Sequence, residues 1–392
     1  MQERPRSAVR EGVGYAGAIG ALVAVAVGIA LEMDSALTLM LLVIGAALPM
    51  WWMEWRTDQD HYDIVDERAD SIFGVAFILL TLAACMFLQL RFGGSKGAAV
   101  SALVPSALVV SLLMVLASLT CPSSLSPTIA ACGRASRTLL RASRPQYADV
   151  TAMLGWLVKC FFMPLMLAWA WVWLSKFQDQ WRWGSSLHWY VGGLTILYAI
   201  DTSFAIVGYG STSHRIGGQI RSVDRTALGW ISALACYPPL GAVVLDGWLI
   251  VRHANDWEKV VESSSWLYIP WGVGILGLTV IYAWSSVAFG PRFSNLTNRG
   301  IITSGPYRWT KHPAYLSKNL SWWMISVPFI STQGWRMALL QCIAMLAVNA
   351  IYWIRAKTEE RHLMRDAAYR DYAAWIERNG IFAYIRRRSY AD

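Results

Sequence analysis

The feature that most constrains this chain is a succession of apolar stretches, each long enough to cross a lipid bilayer as a helix. The first covers 13–31, and about 20 apolar residues suffice to span the hydrocarbon core. Others fall at 36–53, 71–90, 98–119, 151–174, 187–209, 227–250, 267–289, 314–331 and 336–354, predicting ten spans. Within hydrocarbon every backbone amide must be satisfied internally, so helices are expected. Composition agrees. Only 15% of the 392 residues are charged, against about 25% in soluble domains, and mean hydropathy is +0.38.

Arg4, Arg6 and Arg10 ahead of the first stretch resemble the charged start of a leader peptide. The apolar run that follows has the length of a retained span. With the N-terminus placed in the cytoplasm, most of the 34 Lys and Arg fall in cytoplasmic segments. The opposite side holds Arg91, Lys96, Lys176, Arg182, Arg252, Lys259 and Arg336, and Lys159 lies within a span. That bias orients both termini inside. It also accounts for the net charge of +9 without nucleic acid as a partner. The six cysteines (Cys85, Cys121, Cys132, Cys160, Cys236, Cys342) show no ligand spacing, so neither a disulfide framework nor a metal site is expected. Many of the 22 Trp residues sit near span ends, as an interfacial belt requires.

Three polar features interrupt the first two thirds of the chain. The acidic loop 56–70 lacks the Gly and Glu positions of a calcium-binding loop and reads as solvated. Arg134, Arg137, Arg141 and Arg144 recur every three or four residues, which predicts a helix lying on anionic lipid. Asp201 falls inside a span, where a carboxylate faces a cavity or a partner. Arg221 and Arg225 follow in the next loop, and Pro238-Pro239 are expected to break the span after it. Asp201, Arg221 and Arg225 are therefore candidate substrate contacts.

Two polar segments near the C-terminus carry the chemistry. In the first, residues 303–307 (TSGPY) form a turn, and His312-Pro313 opens the ninth predicted span. Proline suits the first turn of a helix. The unpaired N–H groups there, with Lys311 and His312 beside them, make an anion receptor. The second segment leaves the tenth span as a helix. At 100° per residue, Arg355, Glu359, His362, Asp366 and Tyr369 share one face. A short hairpin should return that face to His312 and Tyr315, forming a pocket.

These segments, GIITSGPYRWTKHPAYLSKNLSWW and RAKTEERHLMRDAAYRDY, resemble the isoprenylcysteine carboxyl methyltransferase family, with its relatives acting on phospholipids and small thiols. The matching residues are Gly305-Pro306-Tyr307, His312-Pro313 with Tyr315, Arg355 with Glu359-Glu360, and Tyr369 with Tyr372. Lys311 stands where the family has Arg, keeping the charge but losing the planar fork. The resemblance covers roughly residues 290–385 and implies S-adenosylmethionine as cofactor, with methyl transfer to a lipid-like acceptor from the bilayer. It implies a cofactor site of Gly305, Tyr307, His312, Pro313, Tyr315, Glu359, Tyr369 and Tyr372. Helix-start N–H groups and His312 would take the cofactor carboxylate. Glu359 or Glu360 would take its amine or ribose hydroxyls, and the tyrosines its adenine or sulfonium. Arg355, Glu360 and Lys311 are the catalytic candidates. Arg355 would orient a carboxylate acceptor, whereas a hydroxyl or amine acceptor calls for a base at Glu360 or His362.

The expected fold is thus all-α: a polytopic membrane protein with a C-terminal helical hairpin and a cytoplasmic cofactor pocket. Residues 1–265 would form an N-terminal transmembrane region, and 266–392 the methyltransferase core with its tail. Two alternatives remain. A sterol-type membrane reductase would bind the 2′-phosphate of NADPH through Arg299, Arg308 or Lys318. A transporter would use Lys159, Asp201 and Pro238-Pro239, although the two halves show no internal symmetry.

Overall fold

The computed structural model describes residues 3–55, 68–93, 99–120, 126–183, 189–244, 256–262 and 264–389. Among the described residues the architecture is almost entirely helical: α1 (Val13–Ala30), α2 (Ser35–Glu54), α3 (Arg68–Phe92), α4 (Val104–Thr120), α5 (Pro127–Leu140), α6 (Tyr147–Trp183) and α7 (Trp189–Gly210). Then follow α8 (Ala227–Leu234), α9 (Trp257–Val260), α10 (Tyr268–Phe289), α11 (Pro313–Ser326), α12 (Trp335–Leu363), α13 (Ala367–Asn379) and α14 (Ile381–Ser389). Among the described residues, eight helices are long and apolar enough to cross a membrane. They are α1, α2, α3, the 99–117 helix that includes most of α4, α6, α7, α10 and α12.

Two of the ten predicted spans have no helix of that length among the described residues. The predicted span 314–331 is α11, only 14 residues long, or about 21 Å against a core of about 30 Å. It ends where Val327 adopts a left-handed conformation at φ 39°. The predicted span 227–250 begins as α8, which stops at Leu234, and helical structure resumes at Leu240 directly after Pro238-Pro239, so the expected break falls at the prolines. Residues 245–255 lie outside the described residues, as does the acidic loop up to residue 67.

Small residues set the packing of the first hairpin. Gly20 of α1 and Gly45 of α2 oppose each other so closely that a Cβ on either would collide with the other's backbone. Such contacts replace the hydrophobic drive that helices lack in lipid. Asp34 caps α2 by accepting from Leu37 N at 2.8 Å. The main core joins this hairpin to α6 and α7, and it extends to Ile301, Ile302 and Tyr307 and to Tyr369, Tyr372 and Ile376 of α13.

The arginine-bearing helix is α5, and its basic face is partly spent inside the protein. Arg134 pairs with Asp149 at 3.0 Å and Arg137 with Asp70, while Arg141 and Arg144 are exposed. Two of the four arginines are thus engaged within the protein and two remain exposed.

Four side-chain links tie α11 to α12. Trp323 Nε1 donates to Asn349 Oδ1 at 2.8 Å, and Asn349 Nδ2 donates to Asn319 Oδ1 at 2.7 Å. Nearer the helix start, Tyr315 donates to Glu359 at 2.9 Å and His312 meets Glu360 at 2.8 Å. Polar groups at this depth have few alternative partners, so the hairpin is cross-linked along its length.

Candidate active site

The site is assembled from three loops and two helix ends. A two-residue ribbon pairs Ser222–Val223 (β1) antiparallel with Thr297–Asn298 (β2), in the register Ser222 with Asn298 and Val223 with Thr297. It joins the loop after α7 to the loop after α10. Arg299 locks this junction. Its guanidinium donates to the carbonyls of Gly208, Ser211, Gly218 and Phe293, and it is 2% exposed. Burial, reinforced by the neighbouring Arg292 charge, lowers its pKa to about 9. Arg292 in turn meets Glu54 at 3.2 Å, with both side chains 2% exposed.

The Gly-Pro-Tyr turn is a short 3-10 helix over Gly305–Arg308. Gly305 has φ +60°, a region costly for residues with a Cβ, and a Cβ there would lie 3.0 Å from Ala288 Cβ. Two residues of α13 hold the turn. Tyr372, 2% exposed, donates its hydroxyl to the carbonyls of Tyr307 at 2.8 Å and Thr310 at 3.3 Å. Burial pushes its phenol pKa up, so it stays a donor. Tyr369 packs edge-on to Tyr372 at 5.9 Å.

At the start of α11, His312 is the N-cap residue and no side chain caps the first turn. Pro313 has no N–H to satisfy. The His312 imidazole donates from Nε2 to Glu360 Oε1 at 2.8 Å and stacks on Tyr315, 5.5 Å between centroids and 12° between planes. Lys357 donates to the other Glu360 oxygen at 3.1 Å. Lys311 points away to Glu377 at 3.1 Å.

Arg355, 7% exposed, donates to Asn295 Oδ1 at 2.6 Å. Its guanidinium lies 5.4 Å from the Tyr237 ring centroid and 5.2 Å from that of Tyr315. Asn295 is oriented by donating from Nδ2 to the Tyr209 hydroxyl at 2.8 Å. Beside them is a cavity of about 30 Å³ that Asn295, Tyr315, Arg355, Glu359, Asp224 and His362 help to line. His362 shares a 3.2 Å hydrogen bond between Nε2 and Ser222 Oγ, and its buried Nδ1 has no partner among the described residues.

The structure therefore brings together His312, Pro313, Tyr315, Arg355, Glu359 and Glu360, with Gly305, Tyr307, Tyr369 and Tyr372 supporting the adjoining turn. The expected continuous helical face is shorter than its spacing suggested. Because α12 ends at Leu363, Asp366 instead caps α13 by accepting from Ala368 N at 3.0 Å. Asp201 lies elsewhere, accepting from Tyr282 at 2.9 Å and from Ser286. Arg225 donates to Tyr147 O at 2.9 Å and Thr151 at 3.1 Å, and Arg221 approaches Asp366 at 3.9 Å.

Asp224 lies in the 201–239 segment weighed as a cavity wall, whereas Asn295, Tyr209, Tyr237 and Ser222 are not singled out by the sequence. They come from loops and helices distant in sequence and belong to no local motif. A cue existed only for Glu54, a lone carboxylate closing an apolar run.

Residues 274–365 match the model of the isoprenylcysteine carboxyl methyltransferase (ICMT) family. The matched stretch starts within α10, holds α11 and α12 with both glutamates, and stops short of Tyr369 and Tyr372. Over that stretch the chain is similar to a membrane methyltransferase, in keeping with its multi-pass helices. No curated protein and no solved structure matches it.

Proposed function

We propose that this chain, ICMT-like over residues 274–365, is an S-adenosylmethionine-dependent methyltransferase acting on a hydrophobic or lipid-linked acceptor. The site faces the cytoplasm, with both termini on that side, as the Lys and Arg distribution favours. The observation that carries the reading is the pairing of His312 with Glu360 and of Tyr315 with Glu359, beside the buried Arg355.

That donor set fits the cofactor. When bound, S-adenosylmethionine supplies an electrophilic methyl group on a sulfonium. The uncapped N–H groups at the start of α11 and His312 would hold its carboxylate. Glu359 would hold the amine or ribose hydroxyls, and the Tyr315 face suits an adenine or a cation. Transfer is an in-line displacement, so positioning supplies much of the rate. Arg355 would orient an acceptor carboxylate in a bidentate fashion. For a hydroxyl or amine acceptor, Glu360 or the unpartnered Nδ1 of His362 would take the proton.

The cavity of about 30 Å³ is far smaller than the roughly 300–1,000 Å³ of small-molecule sites. Binding therefore requires the polar pairs around it to exchange partners. Lys311, spent on Glu377, would act by holding α13 against the turn. The reductase alternative loses support because the Arg299 donors are already engaged by carbonyls.

Calorimetric titration of the purified protein tests the reading. S-adenosylmethionine should bind, and His312→Ala and Glu359→Ala should each weaken binding markedly. Binding of NADPH in its place would sink the proposal. Mass spectrometry of lipid extracts with and without the protein, searching for products heavier by one methylene, would identify the acceptor.

A further inference from the structure

Helix α14 takes no part in the pocket and has an unusual surface. Ile381, Phe382, Tyr384 and Ile385 are 46%, 62%, 64% and 56% exposed, whereas Ala383 is 6% exposed and packs inward. Arg386 and Arg387, both exposed, follow on the same helix. Apolar and cationic side chains thus crowd one short element, with Arg387 donating to the Arg378 carbonyl at 2.9 Å.

Its height relative to the bilayer is fixed by its attachments. Ile381 N donates to the Trp309 carbonyl at 2.9 Å. Trp309, 44% exposed, meets Trp284 edge-on at 5.5 Å, and Trp284 Nε1 donates to the Tyr15 hydroxyl at 2.8 Å. Trp284 lies near the end of α10 and Tyr15 near the start of α1, two helices of spanning length. Tyr15 is 49% exposed. Indoles and phenols at span ends mark the headgroup layer, so α14 hangs at that level on the rim of the bundle. An open cavity of about 420 Å³ lies against Trp309, lined also by Glu3, Arg4, Arg308 and Trp375, although Arg4 also pairs with Glu11 at 3.1 Å.

We infer that α14 docks into the headgroup layer of an anionic bilayer, with Phe382, Tyr384 and Ile385 at the acyl boundary and Arg386 and Arg387 among lipid phosphates. A soluble protein partner would not require the helix to sit level with the interfacial indoles. The charge is complementary to anionic lipid, and basic residues near such a surface each favour it severalfold. The inference rests on the membrane placement of α1 and α10 and is independent of the reaction catalysed. It does bear on the site. The α13–α14 unit holds three carbonyls of the turn region: Trp309 through Ile381 N, and Tyr307 and Thr310 through Tyr372. Lipid docking would therefore steady the turn that precedes His312.

Hydrogen–deuterium exchange of residues 381–389 tests this, using the full chain in nanodiscs of phosphatidylcholine alone or mixed with phosphatidylglycerol. Exchange should slow on the order of tenfold in the anionic discs, and added salt should reverse the slowing. Arg386→Glu with Arg387→Glu should abolish the lipid dependence, with exchange in α12 unchanged as a control on folding. Equal exchange of the unmodified protein in both lipids, or slowing that is indifferent to salt, would overturn the inference. Protection in detergent that grows with protein concentration would also overturn it, assigning the face to a second copy of the chain.

Discussion

The Tyr372 hydroxyl donates to the main-chain carbonyl of Tyr307 across 2.8 Å, so a tail helix sets the shape of a turn 65 residues upstream. Removing that hydroxyl leaves a buried carbonyl without its donor. Tyr372→Phe is expected to cost about 1–3 kcal/mol of stability, read as a lower unfolding midpoint in detergent. Affinity for S-adenosylmethionine should fall as well, because the turn leads directly into His312.

His312 and Glu360 should behave as a coupled unit. Each side chain is largely buried, at 20% and 18% exposure, and their hydrogen bond is charge-assisted. In unfolding experiments His312→Ala and Glu360→Gln should each cost about 1.5–3 kcal/mol. The double variant should cost clearly less than the sum. Strict additivity would show that the contact contributes little.

The Arg292–Glu54 pair is buried on both sides, which separates its two possible kinds of variant. Glu54→Gln alone strands a guanidinium in the interior and should destabilise by about 3–5 kcal/mol. Replacing both residues, as Glu54→Leu with Arg292→Met, should recover most of that loss. Denaturation midpoints of the singles and the double distinguish a structural bolt from a functional charge.

Gly305 tolerates its φ of +60° because it has no Cβ. Gly305→Ala is expected to cost about 1–2 kcal/mol from backbone strain, and the approach to Ala288 adds to it. If strain acts mainly on the turn, cofactor affinity should drop more than the unfolding midpoint of the bundle.

Much of this arrangement was legible in the sequence because its signals are local. Apolar length gave the membrane class, and proline after histidine gave the start of α11. The i, i+4 spacing of Arg355 and Glu359 gave a shared face. Apolar length was a poor guide to where a helix ends: residues 314–331 are apolar enough to span, yet Val327 turns the chain after 14 helical residues. Periodicity misled at Asp366, since a helix face cannot be extended past an end that the sequence does not announce. Asn295 and Tyr237 were invisible for another reason. Their roles depend on which loops the ribbon at Ser222 and Asn298 brings together, and pairing at that distance leaves no mark in either segment.

The four links between α11 and α12 also govern how the small cavity can widen. Hydrogen bonds in hydrocarbon have no water to trade with, so Asn319–Asn349 and Trp323–Asn349 act like the closed end of a tuning fork. The two prongs, tipped by His312 and Glu360, are joined by hydrogen bonds at both ends. The far wall of the cavity, formed by Asp224, Gly229 and Ala233, faces the hairpin and carries none of these cross-links.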